Sequence, residues 1–219
     1  MLLGYWAIRG LGQPIRLLLE YAGIPYEEKL YEAIRKEDGS IDKSGWFDEK
    51  HKLGLDFPNL PYLIDGDVKL TQTIAILQYC AEKAGMDGRT AEERAKVAML
   101  FGLSGDVRSR YTRAAYSPEF HSMKADLIEF LHGKLGQLNR YLEGVESEHA
   151  FLVSAEITYV DLLWYDLIDQ FLRLSPEILA DFPSVEIFYK RIHILPQVEA
   201  YRKSDRYITK FNNTVALFK

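Results

Sequence analysis

The apolar pattern of this chain changes character once, at a polar stretch from Gly85 to Arg89, and that switch constrains the fold more than any other feature. Before it, strand and helix signals alternate. Leu2 to Ile8 is a short apolar and aromatic run, the pattern of a buried strand. Pro14 then opens a helix in its first turn, Leu17, Leu18 and Tyr21 recur on one face, and Gly23 closes it. Tyr26, Glu28 and Leu30 alternate with Glu27, Lys29 and Tyr31, which predicts a second strand. From Glu32 to Gly45 the chain is charged and irregular, with a turn at Asp38-Gly39, and reads as a long exposed loop. Pro61-Tyr62-Leu63-Ile64, Asp65-Gly66-Asp67 and Val68-Lys69-Leu70 predict a compact hairpin. A helix from about Gln72 to Lys83 follows at once, so the order is β-α-β, a loop, then β-β-α.

After the switch every signal is helical. Thr90-Ala91-Glu92-Glu93 has the form of a capping box, and Val97, Leu100, Phe101, Ser104 and Val107 follow at three- and four-residue spacing. Pro118-Glu119 opens a helix carrying Leu127, Phe130, Leu131, Leu135, Leu138 and Leu142. Thr158-Tyr159-Val160-Asp161 is a second capping box, with Ile157 and Leu162 placed as its hydrophobic staple. Two shorter helices are expected, one after Pro176 and one around Val185 to Ile194. No internal repeat is present. The fold class expected is α/β plus all-α, with one domain at residues 1–83 and an all-helical one at 90–219.

Composition narrows the function classes. At 219 residues the chain is long enough for a sizeable core, and 47% hydrophobic content excludes a disordered chain. A net charge of −5 without a basic stripe argues against a nucleic-acid partner. The single cysteine, Cys80, excludes an internal disulfide and suits a reducing compartment. No window approaches the run of about 18 apolar residues that a membrane span needs. Met1-Leu2-Leu3-Gly4 has no charged n-region, so a cytoplasmic protein without membrane attachment is expected. Without a secretory signal, the glycosylation spacing of Asn212-Asn213-Thr214 is coincidental.

Chemistry-bearing motifs are few. Gly10-Leu11-Gly12 follows the first strand as a dinucleotide fingerprint would, but Ile15 stands where the third glycine belongs. Neither a phosphate loop, nor a catalytic-serine elbow, nor a zinc pattern occurs, and no metal is expected. Glu129/His132 and Glu146/His149 have the spacing of di-iron bundles, yet they lie too close in sequence for facing helix interiors and read as solvated charges. Thr71-Gln72-Thr73 begins a helix, where free N–H groups and the positive dipole end favour a carboxylate; an ordinary helix cap is the plainer reading. Lys50 is a second carboxylate ligand or a solvated loop lysine, and Tyr5 and Trp6 read as core aromatics.

Taken as a set, these segments resemble the cytosolic glutathione transferases, the mu class in particular. The resemblance is carried by Leu3-Gly4-Tyr5-Trp6, by Ile15-Arg16-Leu17-Leu18-Leu19-Glu20-Tyr21 and by Ile157-Thr158-Tyr159-Val160-Asp161. Most specific is Lys52-Leu53-Gly54-Leu55-Asp56-Phe57-Pro58-Asn59-Leu60-Pro61-Tyr62. It implies a thioredoxin-like domain followed by an all-α domain. It also implies a homodimer that uses glutathione as co-substrate, without cofactor or metal, to detoxify small hydrophobic electrophiles. The chemical problem is thiol acidity, since the nucleophile is the thiolate and a free thiol near pKa 8.5 is mostly protonated at neutral pH. Lowering it by about two units takes roughly 2.7 kcal/mol of preference for the anion. One hydrogen bond to a charged group contributes about 1.5–3 kcal/mol.

By this resemblance Tyr5 supplies that hydroxyl. Gln72 and Thr73 would hold the γ-glutamyl end of glutathione. Leu60, before a Pro61 implied to be cis, would hold the cysteinyl backbone beside Asn59. Trp46 and Lys50 would meet the glycyl carboxylate, with Lys43 and Trp6 lining the same site and Asp106 reaching into the partner's. The electrophile pocket would be built from Ile8, Leu11, Arg108, Thr112 and Tyr116, with Tyr116 a second catalytic hydroxyl or a packed helix tyrosine. Phe57 would plug into the neighbouring subunit. Lys43 stands where an arginine is usual, which loses bidentate geometry. Arg108 is unusual in its place and would favour anionic or polar substrates. A non-catalytic carrier on the same fold is the alternative, and the long loop argues against an isomerase of the sigma-like kind.

Overall fold

The computed structural model of the chain describes residues 1–145 and 150–218. Its first part is ordered β1 (Leu2–Trp6), α1 (Gln13–Tyr21), β2 (Glu27–Tyr31), β3 (Ile34–Arg35), β4 (Ile41–Asp42), α2 (Ser44–Phe47), β5 (Tyr62–Asp65), β6 (Val68–Thr71) and α3 (Thr73–Ala84). The second part is helical throughout: α4 (Ala91–Ala115), α5 (Phe120–Val145), α6 (Tyr159–Leu174), α7 (Pro183–His193) and α8 (Pro196–Arg202). Four strands form a mixed sheet in the order β2-β1-β5-β6. β1 runs parallel to β2 and antiparallel to β5, with Tyr5 opposite Leu30 and Gly4 opposite Tyr62. This is the thioredoxin-like arrangement followed by an all-helical one.

Two expectations need correction. The stretch from Glu32 to Gly45 is no plain loop: β3 and β4 pair across the Asp38-Gly39 turn, where Asp38 Oδ1 accepts from the Ser40 N–H at 2.8 Å. Asp42 then accepts from the Ser44 N–H at 2.8 Å, at the start of α2. Both sides of this small hairpin are at least partly exposed, so no apolar alternation announces it. The segment after Pro176 forms turns only, because the chain meets Pro183 before a helix can extend, and a residue before proline is driven out of helical geometry. Pro14, Pro183 and Pro196 open helices, each in the first turn.

Asp161, at the start of α6, is fully buried. Its Oδ2 accepts from the Thr158 N–H at 2.7 Å and the Thr158 hydroxyl at 2.8 Å, and its Oδ1 accepts from the Leu152 N–H at 2.8 Å. Burial pushes this carboxyl up to about 6 against the downward pull of those three bonds. Trp164 Nε1 donates to the Leu100 carbonyl at 3.2 Å, tying α6 to α4. The main core runs from Leu3 and Leu63 of the sheet through α1 and α3 into α4–α8. A separate aromatic cluster joins Tyr5 of β1, Tyr31 of β2, Trp46 of α2 and Tyr62 of β5. Trp46 stacks on Tyr62 with ring centroids 6.1 Å apart, while Tyr31 meets Trp46 edge-on. That cluster fixes α2 against the sheet.

Candidate active site

Tyr5 ends the buried run of β1 with its ring enclosed by the segment that follows. A Cβ on Gly10 would lie 2.7 Å from Tyr5 Oη, and one on Gly12 would lie 2.7 Å from Tyr5 Cδ1. The two glycines that resemble a nucleotide motif are therefore a cradle for the tyrosine ring, and Gly10 also needs its positive φ of 40°. The Leu11 N–H donates to Tyr5 Oη at 2.9 Å. With one lone pair so engaged, the phenol keeps its own proton to donate. Burial pushes the Tyr5 hydroxyl above its ordinary value, opposed by the Leu11 bond and by the positive charges of Arg108 and Arg16; Tyr116 adds to the upward push. Tyr5 is thus a neutral donor across the physiological range, which is the state that stabilising an anion requires.

A cleft of about 750 Å³ opens at this hydroxyl. It brings together Tyr5, Trp6, Ile8, Leu11, Lys43 and Thr73 from the sheet-bearing half with Arg108 and Thr112 of α4 and Tyr116 at its C-terminal cap. The other candidates lie outside its wall. Trp46 is buried in the aromatic cluster, and Lys50 Nζ sits 4.9 Å over the Phe47 ring. The exposed Asn59 takes the Leu60 N–H on its own Oδ1 at 2.9 Å, and the Leu60-Pro61 bond is cis. Gln72 precedes α3 with φ 71°, the one non-glycine residue with positive φ among those described, as happens where a binding site over-determines the backbone. Its side chain makes no capping bond and the first turn holds no acidic residue, so α3 presents uncapped N–H groups beside Thr73. Asp106 and Phe57 are exposed, Phe57 at 78%.

The chain end supplies wall residues that sequence reasoning left unnamed. Arg9 and Gly10 donate backbone N–H groups to the carbonyls of Lys210 and Phe211, at 2.7 and 3.2 Å. The Leu217 N–H returns to the Ala115 carbonyl at 3.0 Å, and the Thr214 hydroxyl donates to the Ala33 carbonyl at 2.9 Å. Asn212, Asn213 and Val215 thereby enter the cleft, where the Asn213 N–H donates to Tyr116 Oη at 2.9 Å. Tyr116 is held as Tyr5 is, with its proton left to donate and burial pushing its hydroxyl up. Phe101, Ser104 and Gly105 also line the cleft, and helical spacing back from Arg108 and Thr112 would have found them. No periodic signal marks the tail.

Arg108 does not offer a free charge to an anionic electrophile. Its Nη1 donates to the Gly10 carbonyl at 3.0 Å and its Nη2 meets Asp166 Oδ2 at 3.4 Å. Of the two Glu-x-x-His pairs, Glu146/His149 lies outside the described residues. His132 of the other pair is exposed, contacts the exposed Asp181 at 3.1 Å and packs on the buried Phe182. Among the described residues no three His, Cys, Asp or Glu side chains converge as a metal site, and no helix is long and apolar enough to cross a membrane.

Comparison with known proteins agrees with this fold. Residues 1–82 match the family described as glutathione S-transferase, N-terminal domain, and residues 105–205 match glutathione S-transferase, C-terminal domain. The chain is 42% identical over 217 residues to the class-mu 26 kDa isozyme 51 of Fasciola hepatica, covering 99% of this chain and 94% of that one. It is 44% identical to glutathione S-transferase Mu 4 of Mus musculus, over 95% of this chain and 93% of the relative. Among solved structures, the glutathione S-transferase Blo t 8 superposes with a TM-score of 0.89 at 34% identity, covering 99% of this chain and 98% of that one. The chain belongs to the glutathione S-transferase family, within its mu class.

Proposed function

We propose that the chain conjugates glutathione to hydrophobic electrophiles in the cleft at Tyr5, with glutathione as co-substrate and no cofactor. The observation that carries this is the Tyr5 hydroxyl, which accepts from the Leu11 N–H and keeps its own proton for an anion in a cleft lined by both polar and apolar side chains. The γ-glutamyl end lies at Gln72 and Thr73, on the uncapped start of α3. The cysteinyl backbone meets Leu60 beside Asn59, and the glycyl carboxylate meets Trp46 and Lys50. Trp6 and Lys43 close the site, and the partner subunit's Asp106 completes it. The thiol proton leaves to solvent, the thiolate attacks carbon, a C–S bond forms, and the leaving group departs with its electron pair. Ile8, Leu11, Arg108, Thr112 and Tyr116 surround the electrophile, with Tyr116 donating to charge that develops on it.

Conjugation of a chlorodinitrobenzene tests the activity, and Thr73→Val tests the glutathione site. The variant is expected to raise the KM for glutathione roughly tenfold while leaving kcat at saturation nearly unchanged, since one hydrogen bond to a charged group is lost. An unchanged KM refutes the placement of the γ-glutamyl end.

The working form is a cytoplasmic homodimer acting in detoxification, its two domains divided within residues 84–89. Phe57, 78% exposed on the loop before β5, is the anchor that inserts into the partner. In a two-fold interface the residue acts twice, and burying each copy contributes about 1.5–3 kcal/mol. Phe57→Ser is therefore expected to weaken dimerisation by at least about a hundredfold, read by sedimentation velocity over a dilution series. A dissociation constant equal to that of the wild type removes Phe57 from the interface.

A further inference from the structure

Among the cations near the cleft, Arg108 is placed to act on Tyr5 through a single peptide group. Its Nη1 donates to the Gly10 carbonyl at 3.0 Å, and the N–H of the next residue, Leu11, donates to Tyr5 Oη at 2.9 Å. That carbonyl and that N–H belong to one planar peptide unit, so they are the two ends of one dipole. A guanidinium on the oxygen strengthens donation from the nitrogen, as successive hydrogen bonds polarise one another. The far side of the guanidinium is anchored as well. Asp166 is fully buried, takes Arg108 Nη2 on Oδ2 at 3.4 Å and Gln170 Nε2 on the same oxygen at 2.8 Å, and holds Arg9 Nη2 on Oδ1 at 2.7 Å.

We propose that Arg108 is a positioning residue for the thiolate-stabilising hydroxyl: held by Asp166 of α6, it fixes and polarises the Gly10–Leu11 peptide whose N–H donates to Tyr5. This rests on the reading of Tyr5 given above. The arrangement has a consequence for the two halves of the molecule. The hydroxyl belongs to the sheet, but the groups that orient its partner belong to α4 and α6, so the acidity of bound glutathione depends on how the helical half is seated. Other charged or titratable groups facing Tyr5 are Arg16, whose Cζ lies 5.9 Å from the ring centroid, and Tyr116 across the cleft. Arg16 is bonded to the Ile8 carbonyl and to Glu28 and does not touch the Gly10–Leu11 peptide. The charge of Arg108 favours the ionised side of Tyr5, in the direction the relay requires.

Arg108→Met keeps the apolar stem against the cleft wall and removes the donors; Arg108→Lys keeps the charge but cannot serve Gly10 and Asp166 together. The readout is the ultraviolet titration of the glutathione thiolate in the binary complex, with no electrophile present. Arg108→Met is expected to raise the pKa of bound glutathione by about half a unit to one unit, with Arg108→Lys between it and wild type. Affinity for S-methylglutathione, which has no thiol to ionise, should change less than about twofold. In a Tyr5→Phe background the Arg108→Met shift should vanish, since the relay has lost its end point. A shift of the same size in that background means Arg108 acts on the thiolate directly through space and overturns the relay. So does a titration that coincides with wild type while only the KM for the electrophile moves. If Tyr5→Phe alone leaves the titration in place, the reading of Tyr5 fails instead, and the two failures are told apart.

Discussion

Tyr5→Phe is expected to raise the pKa of bound glutathione by about two units and to lower kcat/KM near pH 6.5 by roughly fifty- to a hundredfold. The size follows from the anion it leaves unsupported: about two units correspond to roughly 2.7 kcal/mol, within reach of one hydrogen bond to a charged group. The sign is fixed by which state the hydroxyl bonds. A donor to sulfur favours the thiolate, so its loss moves ionisation upward and the rate deficit shrinks as pH rises toward the free-thiol value near 8.5. Burial holds Tyr5 itself above its ordinary value, so the wild-type profile should rise to a plateau without an alkaline fall below about pH 9. The phenylalanine ring keeps the glycine cradle filled, and only the Leu11 N–H loses its acceptor. Thermal stability should accordingly fall by no more than about 1–2 kcal/mol. Superimposable pH profiles for the two proteins, with glutathione still bound, would remove Tyr5 from catalysis and favour a carrier.

How much of this was open to reading in the sequence depends on whether the signal is local. Helices α4 and α5 declare themselves because one apolar face repeats along each, whereas α6, buried on nearly every side, is announced by the Thr158–Asp161 box at its start. The β3–β4 hairpin is not, because Ile34 and Arg35 are both exposed and alternation has nothing to record. Prolines mislead where only their own chemistry is read. Pro183 and Pro196 precede buried stripes, Val185, Phe188 and Ile192 in one case and Val198 and Tyr201 in the other, whereas Pro176 has only Ile178 and Leu179 before the chain turns. The site divides in the same way. Phe101, Ser104 and Gly105 of α4 follow from helical spacing once the resemblance has supplied Arg108 and Thr112, but Asn212, Asn213 and Val215 enter the cleft along an irregular chain end seated largely by backbone hydrogen bonds, to which any side chain could belong. Gly10 and Gly12 show the limit of motif reading. Their purpose is the space each leaves empty, and the side chain that fills it lies earlier in the chain.

That space gives the second large effect. Gly12 sits at φ −78° and ψ −28°, ordinary helical values that alanine adopts without strain, so Gly12→Ala changes nothing but occupancy. Its Cβ would lie 2.7 Å from Tyr5 Cδ1, 3.0 Å from Tyr5 Cγ and 3.2 Å from Arg16 Cζ. Neither neighbour yields easily. Arg16 is fully buried, with Nη1 on the Ile8 carbonyl at 2.8 Å and Nε on Glu28 at 2.6 Å. The tyrosine ring is therefore the part that must tilt, and its hydroxyl swings away from both Leu11 and the sulfur. Overpacking of this kind costs about 1–3 kcal/mol of stability, read as a lower unfolding midpoint. A catalytic group displaced by about 1 Å costs up to roughly a hundredfold in rate, so kcat/KM near pH 6.5 should fall by about ten- to a hundredfold. The two costs separate in the Tyr5→Phe background. The ring is still there, so Gly12→Ala should destabilise as before; the hydroxyl is not, so the further loss of rate should nearly disappear. Full additivity in rate would mean that the alanine damages the cleft by some route other than Tyr5, whereas non-additive rates with additive stabilities identify the missing Cβ at Gly12 as what holds the catalytic hydroxyl in place.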